Sequence, residues 1–177
     1  MRAQLGSGEV TLRRWRDTDA AALHQVVRES IEHLTPWMTW VTEDYSPAHA
    51  ARFVATTQDD WARGVAFNYA IFVRGQLAGN AGLMARIGPG GLEIGYWLHP
   101  SYVGRGAATM AVSLLATEAF RTGTNRVEIV TDVANLRSAG VPRRLGYVEV
   151  ARRSPREPGA PAEEGLDIVW RLVPDRG

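Results

Sequence analysis

The chain has 177 residues, 20 basic against 19 acidic side chains and 45% hydrophobic residues, enough for one well-cored α/β domain over 1–177 and short for two. Its near-neutral charge gives no reason to expect nucleic acid or an anionic membrane as partner. Cysteine is absent, which removes disulfides, thiolate nucleophiles and sulfur-ligated metal together; with no secretory leader visible and no apolar run near the ~20 residues that span a bilayer, a cytoplasmic protein is expected.

Residues Val10 to Trp15 alternate as a first strand. Asp17-Thr18-Asp19 supplies an N-cap and first-turn acids for a helix with Ala22, Val26, Val27, Ser30, Ile31 and Leu34 inward, stopped at Thr35-Pro36. Ser46-Pro47 starts a second helix, serine as cap and proline at the first helical position, which ends at Gly64. The pattern turns to β at Ala66 to Val73, and Arg74-Gly75-Gln76 makes a hairpin with Leu77 to Ile87. After Gly88-Pro89-Gly90-Gly91, Leu92 to His99 reads as a strand, and Pro100 and a glycine pair lead into an apolar helix ending near Thr122-Gly123. A strand at Arg126 to Val133, a short helix at Asn135 to Leu145 and a strand at Tyr147 to Arg153 follow. Ser154 to Gly165, rich in Pro, Gly and Glu, is expected to be a mobile loop before a last strand, Leu166 to Val173. Hairpins in the first half and crossovers in the second imply one mixed sheet, not a uniformly wound parallel one.

Glycines where a strand meets a helix let backbone N–H groups converge on an anion, and the helix N-terminus adds partial positive charge. Three readings compete for Gly104-Arg105-Gly106-Ala107-Ala108-Thr109. A dinucleotide fingerprint fits poorly: Thr109 replaces the third glycine, and Gly104 stands four residues beyond Pro100 instead of directly after the strand. A glycine-rich loop without ligand is the second reading, and a pyrophosphate loop of another type the third.

For that third reading, Val103-Gly104-Arg105-Gly106-Ala107-Ala108 resembles the acyl-CoA loop of the GNAT-type N-acetyltransferase superfamily, Gln/Arg-x-x-Gly-x-Gly/Ala, matching at Gly106 and Ala108 with Val103 where Gln or Arg is usual. Glu93-Ile94-Gly95-Tyr96-Trp97-Leu98, Asn135 with Ser138, Leu145-Gly146-Tyr147 and His33-Leu34-Thr35-Pro36-Trp37-Met38 are similar to the ribosomal-protein alanine N-acetyltransferase branch. The resemblance implies a mostly antiparallel central sheet with a splayed acyl-CoA-binding strand pair and about four helices. It implies acetyl-CoA as co-substrate, transfer to a primary amine (a protein or peptide N-terminus or a small amine) and, commonly in such proteins, a homodimer.

The implied roles fall residue by residue. The amides of Val103, Gly104, Arg105, Gly106, Ala107 and Ala108 take the diphosphate; the backbone of Trp97, Leu98 and His99 faces the pantetheine arm and thioester. Asn135 touches the CoA arm, or is simply an N-cap. Many of these enzymes protonate the leaving thiolate with a tyrosine seven residues after that asparagine; here Pro142 stands there, and Ser138 is either the replacement the alanine-acetylating branch suggests or a surface or packing serine of the helix. Pro142 also removes the helical bond to the Ser138 carbonyl, so a kink or early distortion is expected. Glu93 is the candidate base, or equally a strand carboxylate paired with an arginine. Trp37 and Trp40 are expected either to wall the acceptor cleft or to pack the helices onto the sheet. The four histidines show no ligand spacing, so no metal is expected. With no cysteine for an acyl-enzyme, transfer is expected to be direct in a ternary complex. The alternative, a non-catalytic acyl-CoA-binding module, is motivated by Val103 and Pro142.

Overall fold

In a computed structural model that describes residues 1–156 and 158–174, eight strands form one sheet in the order β1-β2-β3-β4-β5-β6-β8-β7. They are β1 (Gln4–Ser7), β2 (Val10–Arg14), β3 (Ala66–Val73), β4 (Gln76–Met84), β5 (Gly91–Leu98), β6 (Arg126–Asp132), β7 (Val148–Arg153) and β8 (Asp167–Leu172). Every neighbouring pair is antiparallel except β5 and β6. The helices are α1 (Ala20–Arg28), α2 (Ile31–Leu34), α3 (Pro47–Arg63), α4 (Ala107–Arg121) and α5 (Leu136–Arg144).

The mixed, mostly antiparallel sheet is as expected; three local readings are corrected. Strand β1 was not anticipated, because Gln4-Leu5-Gly6-Ser7 buries only Leu5, opposite Leu12. The first helix is not continuous: a 3-10 turn at Asp17–Asp19 precedes α1, and the chain breaks before α2. At that break the Ser30 hydroxyl donates to the Val26 carbonyl at 2.6 Å, offering the backbone an alternative partner. Leu23, not Ala22, is the buried residue of its first turn. The stretch after β7 is pinned in its second half: Ala162 N–H donates to Pro36 O at 2.9 Å and Ala160 is buried. Glu157 in that stretch lies outside the described residues.

Two apolar clusters sandwich the sheet. One joins α4, through Ala111, Val112 and Leu115, to Ile94 and Leu98 of β5; the other joins α1, α2 and α3 to Trp15, Ala70 and Trp97. Because side chains alternate along a strand, β5 presents Ile94, Tyr96 and Leu98 to α4, and Glu93 and Trp97 to the α1–α3 side.

Glu118, fully buried on α4, fastens the N-terminal segment: its carboxylate accepts from Arg121 Nε and Nη2, both at 2.8 Å, from Arg2 N–H at 2.6 Å and from Arg2 Nε at 2.8 Å. The Arg121 bonds, then those from Arg2, outweigh burial and hold its pKa at about 2, below the ordinary 4.5. A carboxylate depressed in the folded state stabilises fully above its unfolded pKa and loses that contribution as pH falls through the folded one. Stability carried by Glu118 therefore drains between pH 4.5 and about 2. Glu118→Gln is expected to cost roughly 1–3 kcal/mol at neutral pH and to flatten the acid limb, as urea unfolding across pH would show.

Candidate active site

Strands β5 and β6 are paired only at Gly91–Arg126, Leu92–Val127 and Glu93–Glu128. Beyond Glu93, β5 stays on β4 while β6 stays on β8, so Ile94–Leu98 and Ile129–Asp132 diverge into an open V. His99 N–H donates to Ala78 O at 2.8 Å, which makes Leu98–Gly79 a non-hydrogen-bonded pair. By alternation Trp97 and His99 spend their amides on β4, whereas Ile94, Tyr96 and Leu98 turn N–H and C=O into the V. Of the three residues expected to offer backbone to a ligand, only Leu98 faces the opening.

At the mouth of the V, Pro100–Tyr102 forms a 3-10 turn, and Val103 N–H is consumed by Pro100 O at 3.2 Å. The amide of Val103, expected at the diphosphate, is therefore already paired. The N–H groups of Gly104 to Ala108 find no acceptor among the described residues. Gly104 and Gly106 hold φ of 77° and 79°, the left-handed region, which turns this run of amides outward at the α4 N-terminus. Arg144 reaches the same turn from α5, its Nε and Nη2 lying 3.3 and 3.2 Å from Thr109 Oγ1. Nothing in the sequence placed Arg144 at this turn.

Helix α5 closes the other side. Asn135 is its cap, Oδ1 accepting from Ser138 N–H at 3.0 Å. Just before it, the buried Asp132 ties down two segments: Oδ1 accepts from Ala134 and Glu164 N–H at 2.8 and 3.0 Å, and Oδ2 from Gly165 and Leu166 N–H at 3.0 and 3.2 Å. Burial alone would raise its pKa, but these four donors bring it below the ordinary carboxylate value. Asp132→Ala leaves them unpaired and is expected to cost about 3 kcal/mol, with faster amide exchange at residues 164–166 as the local readout. No sequence signal marked Asp132.

Ser138 lies beside β5. Tyr96 Oη is 3.0 Å from Ser138 O and 3.0 Å from Ser138 Oγ. Burial pushes the Tyr96 phenol up to about 12, against the opposing Ser138 hydrogen bond and Arg144 charge, so it stays protonated. Pro142 sits inside α5, which nonetheless runs on to Arg144 and tightens at its end, where Leu145 N–H reaches Pro142 O at 3.1 Å as well as Val141 O at 3.3 Å.

Glu93 lies at the apex of the V, ~13 Å along β5 from Trp97 at 3.3 Å per residue. The residue is 4% exposed, and its carboxylate accepts from Arg86 Nε at 3.0 Å and from Arg86 Nη2 and faces Arg156 Nη1 at 3.7 Å. Of the two sequence readings, this geometry matches the arginine-paired strand carboxylate. Trp40 is 47% exposed with its ring 6.0 Å from that of the buried Trp97, and Trp37 is half-buried. His99 Nε2 lies 3.4 Å from Glu29 Oε2 on the same side. No cluster of three or more potential metal ligands occurs among the described residues.

Residues 9–148 match the family described as the acetyltransferase (GNAT) domain. YdaF of Bacillus subtilis (strain 168), a candidate ribosomal N-acetyltransferase, is 29% identical over 147 residues, covering 79% of this chain and 78% of its own. RimL, a ribosomal L7/L12 alpha-N-protein acetyltransferase solved with coenzyme A, superposes with a TM-score of 0.84 at 26% identity, over 94% of this chain and 95% of that one. The microcin C7 self-immunity acetyltransferase MccE, solved with acetyl-CoA and AMP, gives 0.87 at 20% identity over 94% and 93%, a likeness of fold.

Proposed function

The chain belongs to the GNAT acetyltransferase family, and we propose that it moves an acetyl group from acetyl-CoA to a primary amine, a protein or peptide N-terminus, by direct transfer in a ternary complex. The observation that carries this is that the split between β5 and β6 leaves one edge of β5 unclaimed, and the amides of Gly104 to Ala108, a few residues further along the same chain, are unclaimed too. The names of YdaF and RimL support a protein α-amine over a small polyamine as acceptor.

In this reading Gly104 to Ala108, the α4 N-terminus and Arg144 hold the diphosphate, and the edge of Tyr96 and Leu98 orders the pantetheine arm. Asn135 acts through its cap, which aims the first turn of α5. Trp37 and Trp40 line the acceptor side. The amine nitrogen forms its bond to the thioester carbon as the carbon–sulfur bond breaks; Ser138 Oγ–H meets the departing thiolate, and water returns the proton to the seryl oxygen. The amine sheds its own proton to water at the open mouth, since Arg86 and Arg156 already engage Glu93. A chain without cysteine has no thiol to carry an acyl-enzyme.

Titration calorimetry with acetyl-CoA, followed by free-thiol release with peptides and small amines, tests the reading. Failure to bind acetyl-CoA sinks it. Binding without transfer to any amine would instead favour the non-catalytic module.

A further inference from the structure

We infer that Pro142 and Tyr96 work as a pair to position Ser138: the proline frees a backbone carbonyl in the catalytic turn, and the tyrosine captures it and fixes the serine hydroxyl against β5. The inference rests on the reading of Ser138 given above.

In an uninterrupted α-helix the N–H of residue 142 would donate to the carbonyl of residue 138. Pro142 has no N–H, and its ring crowds that carbonyl outward. A carbonyl so exposed and left dry is costly, yet Ser138 O is satisfied by Tyr96 Oη at 3.0 Å, across 42 residues of sequence. The same phenol oxygen lies 3.0 Å from Ser138 Oγ. A tyrosine hydroxyl owns one hydrogen and a carbonyl can only accept, so that hydrogen belongs to Ser138 O. Ser138 Oγ–H then donates to Tyr96 Oη at rest. One phenol thus holds both the backbone and the side chain of Ser138, on the strand whose edge lines the groove.

This gives Pro142 a role. With an ordinary residue there, the helix would reclaim Ser138 O and leave Tyr96 a single weaker hold on the hydroxyl. It also explains how a serine, a poor acid, serves: its placement is fixed before the thiolate forms, and preorganisation replaces acidity. Tyr96 touches neither the sulfur nor the amine in this scheme; it is a positioning residue.

The test compares Tyr96→Phe, Pro142→Ala, Ser138→Ala and Tyr96→Phe/Ser138→Ala, with acetyl-CoA as donor and a short peptide bearing a free α-amine as acceptor. Tyr96→Phe keeps the ring and is expected to lower kcat about 10-fold with acetyl-CoA affinity unchanged. The double variant should be no slower than Ser138→Ala alone, because both remove one unit. Pro142→Ala should raise thermal stability, through the regained helical bond, while lowering kcat. A Tyr96→Phe enzyme with full kcat, or a loss that adds to that of Ser138→Ala, overturns the inference while leaving Ser138 in place. Full activity of Ser138→Ala instead overturns the reading of Ser138, and this inference with it. A crystal structure of Tyr96→Phe with Ser138 Oγ unmoved is decisive against the pair whatever the acceptor.

Discussion

Gly106→Val is expected to weaken acetyl-CoA binding at least ~10-fold, a loss of ~1.4 kcal/mol, with little change in the fold. Gly106 caps α4 at φ 79° and ψ −4°, and a Cβ there would meet nothing within 4 Å. The penalty is therefore backbone alone, roughly 1–2 kcal/mol for an L-residue in the left-handed region and more for a β-branched one. The chain relieves it by turning the peptide planes on either side towards negative φ. That rotation carries the N–H groups of Gly106 and Ala107 away from the point where the run of amides converges. Gly64 is a built-in control: it ends α3 at φ 69°, also with nothing near a Cβ, and stands outside the groove. Gly64→Val should cost comparable stability and leave affinity untouched. Calorimetric titration and thermal melting of both variants separate the two effects; equal affinity in both would show that the loop amides do not hold the ligand.

What the sequence disclosed of this molecule follows from the range of its signals. Local chemistry was legible: Ser46-Pro47 and Gly64 bracket α3, Arg74-Gly75 turns β3 into β4, and Asn135 caps α5. Where a signal depended on a neighbour, reading failed. Leu5 makes β1 a strand only because Leu12 lies opposite it, and Ser30 breaks the first helix by a side-chain bond that composition does not reveal. The loop before β8 looked free because its anchor, Asp132, sits 32 to 34 residues upstream of the amides it binds there.

The site divides in the same way. The glycine loop announced itself, but which amides were still free required the register: Val103 lost its donor to Pro100, and Trp97 and His99 face the wrong edge. Glu93 illustrates the converse. A carboxylate on a strand reads equally as a base or as half of an ion pair, and only the fold shows that Arg86 and Arg156 face Glu93. Tyr96 was read as a member of a strand pattern; its chemistry appears only when α5 is folded onto β5. Of the two departures that suggested decay, Pro142 has an account, since its missing N–H is what Tyr96 exploits; nothing in the structure explains Val103.

Ser138→Ala should reduce kcat about 100-fold, the low end for loss of a positioned proton donor, with acetyl-CoA affinity changed less than about two-fold. Affinity should survive because the parts that hold the ligand, loop and strand backbone together with Arg144, do not include the Ser138 hydroxyl, and because Ser138 N–H keeps its bond to Asn135 Oδ1 in the alanine variant. Asn135→Ala makes the complementary change, removing the cap at a cost of about 1 kcal/mol in stability while leaving the hydroxyl. The sharper discriminator is the leaving group. A serine hydroxyl near the sulfur matters in proportion to the negative charge that builds there, so a donor with a more acidic thiol needs it less. The deficit of Ser138→Ala should therefore shrink with acetyl thioesters of thiols more acidic than CoA. A deficit independent of thiol acidity would place the serine's contribution in the packing of α5 and leave the thiolate to solvent.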